Sequence, residues 1–192
     1  MDISLMSPIS SDTTFQPGVR QMEQCELERA LERLHPETWG WALACCGREK
    51  EMAEEVLQNS YLRIISGRAK FGGTSSLKTW LFGVIRLTAR EEIRRRKFSL
   101  KRFLSSRSLD NLRDESTDAD EAVERVDGSR ALIEAMASLS RRQQQVLQLV
   151  FYHGMTIEDA AGVMHISLGS ARTHYERGKK ALARLLTPGL AP

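Results

Sequence analysis

The stretch MTIEDAAGVMHISLGSARTHYERGKKAL, residues 155–182, decides the fold because two short amphipathic helical patterns meet there across a tight turn. Thr156 precedes the first pattern as an N-cap, and Asp159 stands at the reciprocal position of a capping box. Ser167 is a good N-cap for the second pattern, which follows a turn at His165. Two helices joined by so short a turn predict a helix-turn-helix.

Both helices of this motif divide into an apolar and a polar face. The apolar face of the first consists of Ile157, Ala160, Ala161 and Met164. The apolar face of the second consists of Ala171, Tyr175, Gly178 and Leu182. The polar and cationic residues that project elsewhere from the second helix are Ser170, Arg172, Thr173, His174, Arg177 and Lys180. Such side chains near a helix start can reach base edges and phosphates in the major groove, which indicates a DNA-reading helix.

His165 stands where such motifs often have glycine, because the turn tends to need a positive φ. Histidine tolerates that conformation better than most residues, so the motif stands. An ordinary helical hairpin with a basic solvent face would show the same pattern. The motif alone therefore leaves both interpretations open.

The rest of the chain is also predicted to be helical, because no alternating β-branched run is long enough for a strand. Helices are predicted over residues 21–34, 36–46, 49–66 and 76–97. A capping box at Ser140 and Gln143 begins another helix. The residues we expect that helix to bury are Val146, Leu147, Val150 and Phe151.

These elements predict an all-α fold of two small helical domains joined by an acidic flexible linker, with the helix-turn-helix in the C-terminal domain. The predicted divisions are a disordered tail over 1–20, an N-terminal domain over 21–97, the linker over 98–127 and the C-terminal domain over 128–187. Trp80 lies in a dense apolar pattern and is expected to pack in the core, and Phe71 lies in a loop.

Charge is spread unevenly, although the net charge is only +3. One basic cluster lies over residues 86–102 and a second over 172–184, with an acidic stretch over 110–127 between them. Two basic patches with an acidic spacer favour two separate contacts with a polyanion. Solvated helix faces are the alternative.

Several functional classes are disfavoured by the composition. No window approaches 18 uncharged apolar residues, so no membrane insertion is expected. The N-terminus lacks a basic start and an apolar core, which argues against a signal peptide and for the cytoplasm. The three cysteines, Cys25, Cys45 and Cys46, show no metal-binding spacing and are expected to be reduced thiols. We expect no metal and no other cofactor.

Catalysis is also not expected. Glu54–Glu55 and Glu91–Glu92 are paired carboxylates outside the linker, but adjacent helical residues diverge by about 100° rather than converging. The sequence contains no nucleophile motif and no phosphate-binding loop.

Three segments, in order, resemble the extracytoplasmic-function (ECF) type of bacterial RNA polymerase sigma factor. EMAEEVLQNSYLRII is similar to the family's AEDLVQETFLRLW, and FGGTSSLKTWLFGVIRLTAREEIRRRK is similar to FRGESSFRTWLYRIARNLALDELRRRR. ISLGSARTHYERGK is similar to isxGTVKsRlxRaR. The resemblance covers about residues 30–186, nearly the whole chain.

The resemblance implies a subunit that binds core RNA polymerase, recognises the −10 and −35 promoter elements and promotes DNA melting. The implied polymerase-binding residues are Glu54, Glu55, Gln58 and Asn59. The implied −10 residues are Arg86, Arg90, Arg94 and Arg95. The −35 element would be read by the six polar and cationic residues of the last helix. Leu87 replaces an asparagine of the family pattern and cannot hydrogen-bond a base, so −10 recognition rests on other side chains.

Two questions remain open at this stage. An ordinary dimeric helix-turn-helix regulator would also fit the motif, although the basic segment over residues 86–102 would then have no role. Many members of the family are held by an anti-sigma factor, and control by synthesis or degradation is equally allowed here.

Overall fold

The structure is a computed structural model that describes residues 24–105 and 127–186, and every regular element in these ranges is helical. The helices are α1 Gln24–Cys45, α2 Lys50–Ile65, α3 Leu77–Ser105, α4 Asp127–Ala137, α5 Arg141–Leu147, α6 Ile157–Met164 and α7 Leu168–Leu186. A π-helical turn, Gln148–Tyr152, continues α5. The all-α prediction is confirmed. The predicted tail and most of the predicted linker lie outside the described residues.

α1 is one helix where the sequence predicts two, and Pro36 lies inside it. Proline removes one backbone hydrogen bond from a helix interior. The helix continues because Leu31 on one side of Pro36 and Trp41 and Cys45 on the other all lie in the same core. The prediction of a helix boundary at residues 35–36 is therefore wrong, since burial of this continuous face outweighs the missing bond.

α2 and α3 form the other two helices of the N-terminal half. The buried residues of α2 include Ala53, Val56, Leu57 and Ile64, whereas Ile65 is exposed. α3 extends to Ser105 and so continues through the first eight residues of the predicted linker. Phe98 and Leu100, which begin this extension, are exposed.

The C-terminal half contains two features absent from the sequence prediction. One is α4, and the other is the π-helical turn after α5, whose extra residue rotates the following side chains. Phe151, expected to be buried, is 65% exposed, and Leu149 lies in the core instead. The predicted capping box is present, because Ser140 N donates to Gln143 Oε1 at 3.0 Å.

The two halves share one core. Trp41 of α1 stacks on Phe82 of α3, with ring centroids 5.8 Å apart. His153, directly after the π-helical turn, meets the Phe82 ring edge-on at 4.8 Å. Leu149 and Met164 of the C-terminal half belong to the same buried cluster. Trp80 packs against this cluster as expected, beside Phe71.

Candidate promoter-binding and polymerase-binding surfaces

The helix-turn-helix is formed by α6 and α7, as predicted. Thr156 Oγ1 accepts a hydrogen bond from Asp159 N at 3.0 Å, and Asp159 in turn accepts from the Thr156 hydroxyl at 2.6 Å. α6 ends at His165, whose φ of 51° lies in the left-handed region. Ser167 Oγ accepts from Ser170 N at 3.2 Å and so caps α7. The expected cap residues and the expected positive φ are all present.

α7 packs against α4, α5 and α6. Ala171 and Gly178 are buried on the inner face. A β-carbon at Gly178 would stand 2.9 Å from Leu147 Cδ1, so the two helices touch at this glycine. This close contact leaves five of the six predicted −35 residues exposed, namely Ser170, Arg172, Thr173, Arg177 and Lys180, and leaves His174 half-buried.

The surroundings of His174 favour the neutral form of its imidazole. Partial burial lowers the pKa of this imidazole, and the nearby cations Arg142 and Arg177 lower it further. A neutral imidazole keeps one nitrogen able to accept a hydrogen bond, whereas a protonated one only donates. The outer face of α7 therefore combines cations with neutral groups that can accept.

The four arginines predicted for the −10 element lie in different environments on α3. Arg90 and Arg94 are exposed. Arg95 is exposed over 67% of its side chain, and its guanidinium lies 2.6 Å from Glu55 and 2.9 Å from Glu92. Arg86 is only 7% exposed, and its Nε donates to Gln145 Oε1 of α5 at 3.1 Å. In this conformation Arg86 is not accessible to DNA.

Arg96 belongs to the same charge cluster, although the sequence argument did not single it out. Its guanidinium lies 2.5 Å from Glu49, 2.9 Å from Glu55 and 3.1 Å from Glu92. The hydrogen bond from Arg96 is the largest cause of the lowered pKa of Glu55. The spacing of Glu92 and Arg96, four residues on one helix, was the sequence signal for this pair.

The four residues of α2 predicted to bind polymerase differ in their surroundings, because one of them, Glu55, belongs to this charge cluster. Glu54 and Gln58 are exposed. Asn59 lines a cleft of about 300 Å³ between α2 and α3, together with Arg63. Glu55 turns toward α3 and its arginines, so it connects the predicted polymerase face with the predicted −10 face.

Residues 24–105 and 127–186 contain no group of three or more His, Cys, Asp or Glu side chains placed to hold a metal ion. None of the helices described there is long and apolar enough to cross a membrane.

Comparison with known proteins gives two family matches in order along the chain. The family described as sigma-70 region 2 matches residues 30–99, and sigma-70 region 4 matches residues 129–182. The ECF RNA polymerase sigma factor SigX of Bacillus subtilis is 28% identical over 139 residues, which cover 71% of this chain and 72% of SigX. The RNA polymerase sigma factor CarQ of Myxococcus xanthus is 27% identical over 169 residues, or 87% of this chain and 92% of CarQ.

Solved structures show the same fold. The sigma factor RpoE of Bartonella quintana, crystallised with the anti-sigma factor NepR, has a TM-score of 0.64 at 19% identity, covering 84% of this chain and 97% of that chain. CnrH, in complex with the cytosolic domain of CnrY, has a TM-score of 0.56 at 17% identity, covering 88% and 92%.

Region 2 followed by region 4, with a helix-turn-helix in the second, defines a promoter-recognising subunit of RNA polymerase. This chain belongs to the ECF type of RNA polymerase sigma factors. Its partners are core RNA polymerase and promoter DNA. Sigma factors are transcription initiation factors rather than enzymes. The region 2 match does not favour a stand-alone helix-turn-helix regulator.

Proposed function

We propose that three surfaces of this sigma factor divide the work of initiation. The outer face of α7 reads the −35 element, the exposed arginines of α3 hold the −10 element as it opens, and α2 contacts core polymerase. The observation that carries this proposal is the close contact between α7 and α5, which directs a row of cations and neutral acceptors away from the core.

The side chains of the proposed −35 surface are of the types that contact bases and phosphates in the major groove of DNA. Arginine can bind guanine through two hydrogen bonds, and short hydroxyls can reach either bases or phosphates. Arg172 and Arg177 are exposed on α7, as are Ser170 and Thr173. We assign base reading to this set and backbone contact to Lys180.

For the −10 surface, Arg90 and Arg94 are the groups ready to meet phosphates. Leu87 is exposed on the same helix. A leucine there suits an apolar contact with a base, for instance a thymine methyl, rather than a hydrogen bond. Arg86 can contact DNA only after it breaks its hydrogen bond with Gln145. Arg95 must likewise separate from Glu55 and Glu92.

For the polymerase surface, Glu54 and Gln58 are accessible at once, and Asn59 lies at the edge of the cleft between α2 and α3. Glu55 contributes to the polymerase surface while its carboxylate accepts hydrogen bonds from Arg95 and Arg96. Two sigma factors of similar fold were solved with an anti-sigma factor or a cytosolic partner domain. We therefore include an anti-sigma factor among the proposed partners of this chain, and we place its activity in the cytoplasm with polymerase.

Alanine substitutions in α7 test the −35 assignment. We expect Arg172→Ala and Arg177→Ala each to lower run-off transcription from a −35-dependent promoter by about tenfold, since a lost arginine–base contact is worth about 1–3 kcal/mol. Co-purification with core polymerase should not change.

Lys179→Ala is the matched control for this test, because Lys179 is an exposed cation of the same helix whose ammonium lies 3.4 Å from Glu176. It should transcribe nearly as well as the wild type. Loss of polymerase co-purification in the arginine variants would contradict the assignment of these residues to DNA.

A further inference from the structure

Glu176 lies in the middle of the outer face of α7, although the residues proposed to read the −35 element do not include it. It follows Arg172 by four residues and precedes Lys180 by four, so the three side chains lie one helical turn apart along one side of the helix. Thr173 and Arg177 complete this exposed face. A helix that turns the face toward the −35 element therefore also turns the Glu176 carboxylate toward it.

The charge of Glu176 sets it apart from its neighbours. It is the only acidic residue of α7, which otherwise carries five arginines and lysines. A negative charge that faces phosphates is repelled by them, and this repulsion weakens binding to DNA of any sequence. A carboxylate at this position favours binding only where a base offers it a hydrogen-bond donor. Glu176 therefore bears on which sequence is bound rather than on how strongly DNA is bound in general.

The ion pair of Glu176 with Lys179 leaves its carboxylate available to DNA. The Lys179 ammonium lies 3.4 Å from Glu176 Oε1, and the two side chains are 51% and 54% exposed. An ion pair so exposed is worth about 0–1 kcal/mol, and a carboxylate has further acceptor positions beside it. The same ammonium lies 5.2 Å from the centre of the Tyr175 ring, which packs against the core. Lys179 thus approaches the carboxylate from the protein side of α7.

Cytosine is the base that a carboxylate suits best in the major groove. Cytosine presents the N4 amino group there, which is a donor, whereas thymine presents the O4 acceptor and guanine the O6 and N7 acceptors. Adenine presents the N6 amino group beside the N7 acceptor, a pair that an amide matches and a carboxylate does not. A glutamate that faces the base edges therefore selects cytosine and disfavours the other three bases.

Helix geometry relates this cytosine to the other contacts of α7. Glu176 and Arg172 are one turn apart, which is about 5.4 Å along the helix. Base pairs of DNA are stacked about 3.4 Å apart. For a helix that follows the groove, one turn corresponds to one or two base pairs. The cytosine is therefore expected within one or two base pairs of the base that Arg172 contacts.

We propose that Glu176 is a specificity-determining residue of the −35 surface, and that it accepts a hydrogen bond from the N4 amino group of a cytosine. This inference rests on the proposed −35 surface. The cations of α7 supply affinity for DNA, and Glu176 supplies discrimination among sequences. Loss of the carboxylate therefore relaxes the choice of base without weakening binding to DNA in general.

A promoter with a randomised −35 element tests the proposal. The starting fragment is one that core polymerase transcribes with the wild-type chain, and the fragments bound by this holoenzyme are sequenced. The wild type should prefer cytosine at one position by about tenfold, since such a contact discriminates by about 1–3 kcal/mol. Glu176→Gln should shift that preference to adenine, because an amide matches adenine N6 and N7. Glu176→Ala should accept all four bases there within about threefold.

Glu158→Gln is the matched control, because Glu158 is an exposed carboxylate of α6 in the same helix-turn-helix. Its base profile should equal that of the wild type. An identical profile for the wild type and both Glu176 variants would overturn the proposal, as would a wild-type preference for guanine or thymine at the position that these variants alter. In either case, a profile changed by Arg172→Ala would leave the proposed −35 surface intact. A profile that neither Arg172→Ala nor Arg177→Ala changes would instead contradict that surface itself.

Discussion

At the residue scale, Glu55 belongs to two proposed surfaces. It lies on the polymerase-binding face of α2, and it bonds arginines of α3 beside the −10 surface. Its carboxylate bonds Arg95 at 2.6 Å and Arg96 at 2.9 Å, and the buried Glu92 bonds both arginines from the other side. Arg95 is therefore partly neutralised before it meets DNA. Because exposed ion pairs are worth only about 0–1 kcal/mol, a DNA phosphate or a polymerase cation can compete for either partner.

Neutralising Glu55 should make the free chain a better DNA binder. We expect Glu55→Gln to raise the affinity for promoter DNA at low salt by roughly two- to fivefold, because Arg95 loses one of its carboxylate partners. The dependence of log K on log salt should also become steeper by about 0.7–0.9 if one more phosphate is contacted. Fluorescence anisotropy over a salt series measures both quantities.

Glu54→Gln is the control for this prediction, since it makes the same charge change one residue away at an exposed position. An equal gain in affinity for the two variants would mean that net charge, rather than the pairing of Glu55 with Arg95, governs binding.

The identity of these residues was predictable from the sequence, but their pairing was not. The spacing of Arg86, Arg90 and Arg94 places them along one helix, and the resemblance to sigma factors implies a role for all three. Which arginine meets a carboxylate depends on how α2 and α3 cross, at separations of about 40 residues. No local pattern contains that information.

At the scale of elements, the helix-turn-helix was the most predictable part of the molecule. Its caps at Thr156 and Ser167 and the positive φ at His165 are local features that residue types report directly. The π-helical turn was not predictable, because the search for helices in the sequence assumes a constant 3.6 residues per turn. A single extra residue in one turn leaves no signal in such a pattern. Phe151 was therefore expected on the wrong side of its helix.

The close contact of α5 with α7 makes Gly178 a sensitive position. A methyl group there would meet Leu147 Cδ1 at 2.9 Å and Gln143 Cβ at 3.2 Å, and Leu147 is itself buried. We expect Gly178→Ala to destabilise the fold by about 1–3 kcal/mol. The midpoint of thermal unfolding should fall by roughly 3–10 °C.

Gly169→Ala tests whether glycine itself, rather than crowding, matters in α7. No atom of the described residues lies within 4 Å of its added β-carbon. Alanine is the better helix former, so this variant should unfold at the same or a slightly higher temperature. A comparable loss of stability in both variants would contradict the contact at Gly178.

At the scale of the whole molecule, the halves expected from the sequence are both helical, but they pack into a single core. The residues that join them, among them Lys78, Gln145 and His153, are scattered and follow no period of their own. His153 is 5% exposed, and neither ring nitrogen has a hydrogen-bond partner in the described residues. Lys78 of α3 and Glu37 of α1 are the charged groups that face it.

Stability should therefore decrease in mild acid. Burial, followed by the Lys78 cation, lowers the pKa of His153 to about 4, compared with about 6.5 in the unfolded chain. As the pH falls from 6.5 toward 4, the unfolded chain takes up this proton and the folded chain does not, so folding loses free energy. Between pH 7.5 and 5.5 the loss from this group is about 1 kcal/mol.

Urea unfolding at the two pH values, with His153→Phe as the comparison, isolates this effect. Phenylalanine keeps an aromatic ring between Trp41 and Phe82 but does not titrate. The variant should lose less stability than the wild type on acidification. An identical pH dependence would assign the effect to other groups.

Run-off transcription with purified core RNA polymerase on genomic DNA fragments tests the central claim most directly. The wild-type chain should direct transcripts from discrete start sites that share two upstream elements, one near −10 and one near −35, and core polymerase alone should not. Absence of any promoter-dependent transcript, together with DNA binding by a stable dimer independent of polymerase, would contradict the account.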